Sequence, residues 1–155
     1  MVLERSLLLP DEAATARLAA RIAPLAKQGD AILLVGPYGA GKTAFARAFL
    51  RAASADPDLV VPSPSFTLVQ TYALPGGVEA WHYDLWRIGH PDEIVELGWE
   101  EARGGIVLVE WPERLGPLTP AGALTVTLSP VPARPQARAA RLAGWPDRLP
   151  GLVEP

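Results

Sequence analysis

The sequence contains no cysteine and no asparagine, and its only lysines are Lys27 and Lys42. Without thiols there is no disulfide framework, no thiol nucleophile and no zinc site built on thiolates, although the compartment stays open on that ground. Long apolar runs are also missing. The N-terminal run Leu7-Leu8-Leu9 is broken by Pro10 and followed by Asp11 and Glu12. It fits neither a secretory h-region nor a membrane span, and no later stretch is long enough to cross a bilayer. A cytoplasmic protein with no membrane attachment is expected. Basic charge is scarce as well, with a formal net charge of −3 and a pI of about 5.4. Tight nucleic-acid binding depends on neutralising phosphates, so this chain is not expected to hold RNA or DNA by itself.

What is present has the balance of a globular domain, 49% hydrophobic and 20% charged over 155 residues. That length buries a sizeable core without metals or disulfides, and residues 1–155 read as a single domain without internal repeats. Residues 2–8 read as a short edge strand. Residues 11–27 read as an amphipathic helix with Ala14, Leu18, Ile22 and Leu25 on one face, kinked at Pro24 and stopped by Gly29. Ala31 to Val35 is continuously apolar, which suits a strand buried on both faces of a parallel sheet.

The segment 43–53 reads as a helix with a core stripe of Phe45, Ala48, Phe49 and Ala52. A loop at 63–67 leads into a strand at 66–72, and Gly76-Gly77 turns the chain into a second strand, 78–84, so that this pair is antiparallel. Residues 91–97 read as a short helix and Ile106 to Val109 as a second buried strand ending in Glu110. Residues 124–128 and 137–142 read as weak strands across a proline-rich link. These elements predict a three-layer α/β domain of the P-loop NTPase type, with a mainly parallel central sheet and antiparallel edge strands.

Gly36-Pro37-Tyr38-Gly39-Ala40-Gly41-Lys42-Thr43 matches G-x-x-x-x-G-K-[ST] at every fixed position. Glycines permit positive φ, which lets successive main-chain N–H groups point inward around an anion. Lys42 supplies a point charge for the β- and γ-phosphates, and the Thr43 hydroxyl suits Mg²⁺. The following helix turns its positive dipole end toward the phosphates. Because the motif sits between a buried apolar strand and a helix, a phosphate-binding loop is the stronger reading than a chance match in a turn.

A nucleotide site also needs acids for its metal. Glu110 stands where the carboxyl end of a parallel strand opens onto the ligand crevice, and Asp84 ends another strand. The alternative for each is a solvated charge at a strand end. Guanine-specific switches read their base with an Asn-Lys-x-Asp motif, which a chain without asparagine cannot contain, so ATP is expected as the nucleotide. Trp111 has two readings, a core residue or a platform for adenine.

Taken in order, GPYGAGKT, SPSFTLVQTY, HYDLWRI, ELGWEE and VLVEWPERL resemble the TsaE family, small ATPases of bacterial threonylcarbamoyladenosine biosynthesis on tRNA. The resemblance runs from about Asp11 to Arg114. Pro37-Tyr38 replaces the family's usual acidic residue and leucine, Ser65 its threonine and Trp86 its tyrosine. The resemblance implies Thr43, Asp84 and Glu110 around Mg²⁺, and Lys42 with the loop from Gly36 and Tyr38 through Gly39, Ala40, Gly41 and Thr43 to Ala44 on phosphate. It places Trp111 beside adenine and Ser65 and Thr67 in a segment that senses the γ-phosphate. Lys42, Asp84 and Glu110 are then the catalytic set.

The implied partner is a TsaB–TsaD complex, with tRNA reached only through it. His82 and Arg87 become candidate switch or interface residues, a packed or hydrogen-bonded role being the stronger one for His82. Glu93, Glu96, Glu100 and Glu101 are a candidate acidic docking face, or a solvated one. The expected activity is slow, Mg²⁺-dependent ATP hydrolysis stimulated by the partner. The alternatives are a small-molecule kinase on the same fold and a nucleotide-sensing adaptor that does not hydrolyse ATP.

Overall fold

A computed structural model describes residues 4–152 of the chain. Seven strands form one sheet in the order β1-β7-β6-β2-β5-β4-β3. They are β1 (Glu4–Leu9), β2 (Ala31–Val35), β3 (Val69–Ala73), β4 (Glu79–Asp84), β5 (Ile106–Glu110), β6 (Leu124–Val131) and β7 (Arg134–Ala143). The four middle strands β6, β2, β5 and β4 pair in parallel. The pairs β1–β7, β6–β7 and β3–β4 are antiparallel. The sheet is therefore parallel in the middle and antiparallel toward both edges, as expected.

Side-chain alternation explains why β2 and β5 carry no polar residue before their ends. Ile32, Leu34, Ile106 and Leu108 face one core, shared with α1 (Glu12–Ile22) and α2 (Lys42–Ala53). Ala31, Leu33, Val107 and Val109 face the other, shared with α3 (Pro91–Glu96) and α4 (Trp99–Ala102). Successive residues of a strand point to opposite faces, so a strand covered on both sides must be apolar at every position.

Several elements differ from the sequence reading. The Asp11 carboxylate accepts from the Ala14 N–H and caps α1, but the α-helix ends at Ile22 and tightens into a 3₁₀ turn over Ala23–Leu25. Pro24 has no N–H to continue the ladder, so the bend comes before Lys27 and Gly29 is not the helix stop. On α2 the buried apolar set is Phe45, Ala46, Phe49 and Leu50; Ala48 is half-buried and Ala52 exposed. The strand placed at 66–72 begins only at Val69, because a turn closed by the Leu68 N–H on the Pro64 carbonyl occupies the preceding residues.

The largest difference is at the C-terminal end. β6 and β7 form a long hairpin, and β7 lies between β6 and β1. Its prolines, Pro130, Pro132 and Pro135, gather at the hairpin end, where a missing donor disrupts least. β1 is the edge strand as expected and reaches Leu9 instead of Leu8; residues 2 and 3 of the expected span lie outside the described residues. Among the described residues no helix is long and apolar enough to cross a membrane.

Gly105 precedes β5 with its Cα against β4: a Cβ there would sit 2.1 Å from the Glu79 carbonyl oxygen. Gly105→Ala should therefore cost about 1–3 kcal/mol through forced backbone movement, read as a lower urea midpoint at unchanged slope.

Candidate functional site

Parallel strands β2 and β5 deliver their carboxyl ends side by side. β2 runs directly into the glycine-rich turn, and the turn into α2. Gly36 begins it under steric constraint, since a Cβ there would meet the Leu128 carbonyl oxygen of β6 at 2.5 Å. Gly41 takes φ 102° at the head of α2, which no side chain caps. The first N–H groups of the twelve-residue α2 are thus left for something outside the helix.

Arg138 on β7 shapes the other side of the turn. Its Nε donates to the Ala40 carbonyl and its Nη2 to the Gly39 carbonyl, both at 3.0 Å, while Nη1 holds the Pro135 and Ala137 carbonyls. No peptide in the described residues is cis. Across a trans peptide the N–H points opposite to the C=O, so anchoring the Ala40 carbonyl on the hairpin turns the Gly41 N–H away from it.

The acids come from the strand ends. Asp84 and Glu110 are register partners across the parallel pair β4–β5. Both are almost fully buried, at 6% and 3% exposure. The Thr43 hydroxyl lies 3.0 Å from each Glu110 carboxylate oxygen. Ser65 Oγ donates to Asp84 Oδ2 at 3.3 Å and shares a 2.7 Å hydrogen bond with Ser63 Oγ. The Trp86 N–H donates to Asp84 Oδ1. His82 is fully buried, with Nε2 2.6 Å from Glu110 Oε2.

These groups line a cleft of about 440 Å³ formed by Tyr38, Gly39, Gly41, Lys42, Thr43, Ala44, Ser63, Ser65, Asp84, Glu110 and Trp111. Most of the expected site residues therefore converge. Gly36 contributes through its carbonyl, which accepts from Lys42 Nζ at 2.6 Å. Ala40 is buried in the core under α1 and α2, and its segment lines a second cleft of about 590 Å³ between the start of α1 and the β6–β7 hairpin. Gly39, Gly41 and Ala44 border both clefts. Thr67 is exposed, outside the lining, and its hydroxyl accepts from Gln70 Nε2. Arg87 lies over the Phe66 ring at the surface. Glu93, Glu96, Glu100 and Glu101 are exposed on α3 and α4, in the layer across the sheet from α2.

Among the described residues no group of three or more His, Cys, Asp or Glu side chains forms a metal cage. The oxygen set of Thr43, Asp84 and Glu110 fits a small hard cation that takes one or two carboxylates and completes its shell with water and phosphate. Ser63 and Arg138 were not singled out from the sequence. Ser63 carried a faint signal as part of SPSFT. Arg138 carried none, because its role depends on a hairpin that only the tertiary structure brings to the turn.

Lys42 sits under the Trp111 ring, with Nζ 3.3 Å from the centroid, and Trp111 packs on Trp86 at 4.8 Å. Trp111 holds this position in a left-handed backbone conformation, φ 59°. Desolvation lowers the Lys42 pKa below its ordinary 10.5, opposed by the charges of Glu110, Glu113 and Asp84. Removing the ring admits water to the amine, so Trp111→Ala should raise the Lys42 pKa toward 10.5. NMR titration of the lysine Nζ, with the wild type reading lower than the variant, checks this.

Comparison with known proteins gives a family match over most of the chain. The family model described as threonylcarbamoyl adenosine biosynthesis protein TsaE matches residues 9–138. The chain is 42% identical over 108 residues to the tRNA threonylcarbamoyladenosine biosynthesis protein TsaE of Rickettsia felis, covering 69% of this chain and 62% of that protein. It is 40% identical over 114 residues to the Aquifex aeolicus TsaE, covering 74% and 81%. The Rickettsia bellii TsaE is 36% identical over 128 residues, covering 82% and 88%. The chain thus matches less than two thirds of the length of the Rickettsia felis relative and most of the length of the other two. The crystal structure of YdiB from Bacillus subtilis superposes with a TM-score of 0.77 at 25% identity, covering 96% of this chain and 90% of that one. A turn, two strand-end acids and a tryptophan assembled in this order, with a family match over most of the sequence, have one conclusion: the chain belongs to the TsaE family of tRNA threonylcarbamoyladenosine biosynthesis proteins.

Proposed function

We propose that the protein is a Mg²⁺-dependent ATPase with a P-loop NTPase fold that acts in the cytoplasm, where it supports threonylcarbamoylation of tRNA adenosine. The observation that carries this reading is the cleft itself. An ammonium, an uncapped helix start, a hydroxyl and two buried carboxylates face one another. Opposed charges of this kind, buried together, suit a polyanion bound with its cation.

In this reading Lys42 exchanges its contact with the Gly36 carbonyl for β- and γ-phosphate oxygens, and the main-chain N–H groups of Gly39 and of Gly41 to Ala44 hold the phosphate chain, that of Ala40 being engaged by the Pro37 carbonyl. Thr43, Asp84 and Glu110 would hold Mg²⁺, directly or through water, and the cation would neutralise charge on the phosphate oxygens. Ser65 is already joined to Asp84 and is placed to respond to the γ-phosphate. Thr67 joins it only if the turn at 65–67 moves inward. The adenosine end follows Gly41 and Ala44 into the second cleft, because those residues border both. Trp111 then serves chiefly as the cover of Lys42, instead of as the adenine platform that the resemblance implies.

Turnover by the isolated chain should be slow. Among the described residues the cleft lining contains no arginine to stabilise charge developing on the γ-phosphate, and both Glu110 oxygens are engaged. A partner of the TsaB–TsaD kind would complete the site and carry the tRNA, in keeping with the pI of about 5.4.

The decisive experiment follows ATP turnover and tRNA modification together in a reconstituted mixture with the partner complex. Lys42→Ala should lower kcat/KM by about 10²-fold or more. Glu110→Gln and Asp84→Asn should keep metal-free nucleotide binding but lose Mg²⁺-dependent hydrolysis. Unchanged turnover in all three variants would reject the ATPase reading. Transfer of the phosphate to a metabolite would indicate a kinase, and repeated product formation on a non-hydrolysable analogue would indicate an adaptor.

A further inference from the structure

We infer that His82 is a positioning residue for Glu110: its imidazole holds the carboxylate in the orientation from which it meets Thr43 and the cation. The inference rests on the nucleotide reading above and adds to it a residue with no contact to nucleotide or metal.

The placement follows from strand geometry. Along β4, Ala80, His82 and Asp84 share one face, and along β5 so do Ile106, Leu108 and Glu110. Ala80, Ile106 and Leu108 belong to the core under α1 and α2. His82 pairs in register with Leu108, and Asp84 with Glu110. His82 is thus the diagonal neighbour of Glu110, one step deeper in the same layer.

The His82 ring is fully buried, and its only hydrogen bond among the described residues is from Nε2 to Glu110 Oε2, at 2.6 Å. A carboxylate oxygen can only accept, so Nε2 carries the proton. Nδ1 is buried without a hydrogen-bond partner among the described residues. Packing alone would favour an apolar side chain here, since a buried polar group is costly unless bonded. A histidine that makes one short bond and forgoes the other is better explained by what that bond does.

Glu110 needs such a partner. The torsion that turns a glutamate carboxylate is broad. The Thr43 hydroxyl, equidistant from both oxygens, leaves the carboxylate free to rotate about the line between them. A donor fixed on Oε2 from within the sheet removes that freedom and leaves Oε1 bonded to Thr43 alone among the described residues. Residues that orient a ligand in this way commonly contribute 10–100-fold to metal affinity.

The test compares His82→Gln with His82→Asn. The glutamine amide nitrogen reaches the position of ring Nε2, whereas the asparagine nitrogen reaches only that of Nδ1. Mn²⁺ affinity is measured by electron paramagnetic resonance with a non-hydrolysable ATP analogue bound, and metal-free affinity for the analogue is measured separately. His82→Asn should weaken Mn²⁺ binding about tenfold or more with analogue affinity unchanged, and His82→Gln should restore most of it. Equal Mn²⁺ affinity in wild type and His82→Asn, or equal loss in both variants, would overturn the inference and leave the nucleotide reading standing. If the wild type itself showed no metal-dependent analogue binding, the nucleotide reading would fall, and this inference with it. Should His82→Asn not fold, the Nε2–H resonance of the wild type decides. A shift when Mg²⁺ joins the analogue supports the coupling, and an unmoved resonance overturns it.

Discussion

The contact between the Thr43 hydroxyl and the Glu110 carboxylate is the point on which the site turns. It joins the first turn of α2 to the last residue of β5, two segments separated by 67 positions in the chain. The contact exists because β5 lies directly beside β2, the strand that feeds the turn. Parallel pairing brings the carboxyl ends of both strands to the same edge of the sheet. From that edge the acids reach the head of the helix without any long loop to carry them.

Around this contact the site is held by main-chain anchors more than by charge. Arg138 takes the Gly39 and Ala40 carbonyls and Lys42 takes that of Gly36. With the Ala40 carbonyl engaged, the Gly41 N–H of the same peptide points away from the hairpin; the Ala40 N–H closes the turn on the Pro37 carbonyl. The charged groups are few and buried: one ammonium under an indole, and two carboxylates tied to Thr43, His82, Ser65 and the Trp86 N–H. Every oxygen of the two acids has a protein donor. Such an arrangement limits the cost of keeping the two carboxylates buried.

Much of this was legible in the sequence where the signal is local. The turn motif, the apolar strand before it and the helix after it, the second apolar strand and the acids closing β4 and β5 all follow from neighbouring residues. The layered α/β class followed as well, because two uninterrupted apolar strands call for covering layers on both faces. The hairpin of β6 and β7 was underread. Its prolines argue against strand, and their tolerance at the hairpin end depends on pairing between distant segments. The start of β3 was misplaced for a similar reason. Phe66 and Thr67 have strand-forming side chains, yet a turn closed by Leu68 on Pro64 takes those residues out of the ladder.

What the sequence determined by itself was an inventory: a glycine-rich G-x-x-x-x-G-K-[ST] turn, a lysine and a threonine at its end, two terminal acids, and a family resemblance carried by five short motifs. What only the tertiary structure decided was who faces whom. It set His82 under Glu110, Trp111 over Lys42, and Arg138 behind the glycines. It also left Thr67 at the surface and opened a second cleft past Gly41 and Ala44. The physical reason is that turn chemistry and strand periodicity act over a few residues, whereas those contacts depend on strand order and register. Register is set by how the whole sheet buries its two faces at once.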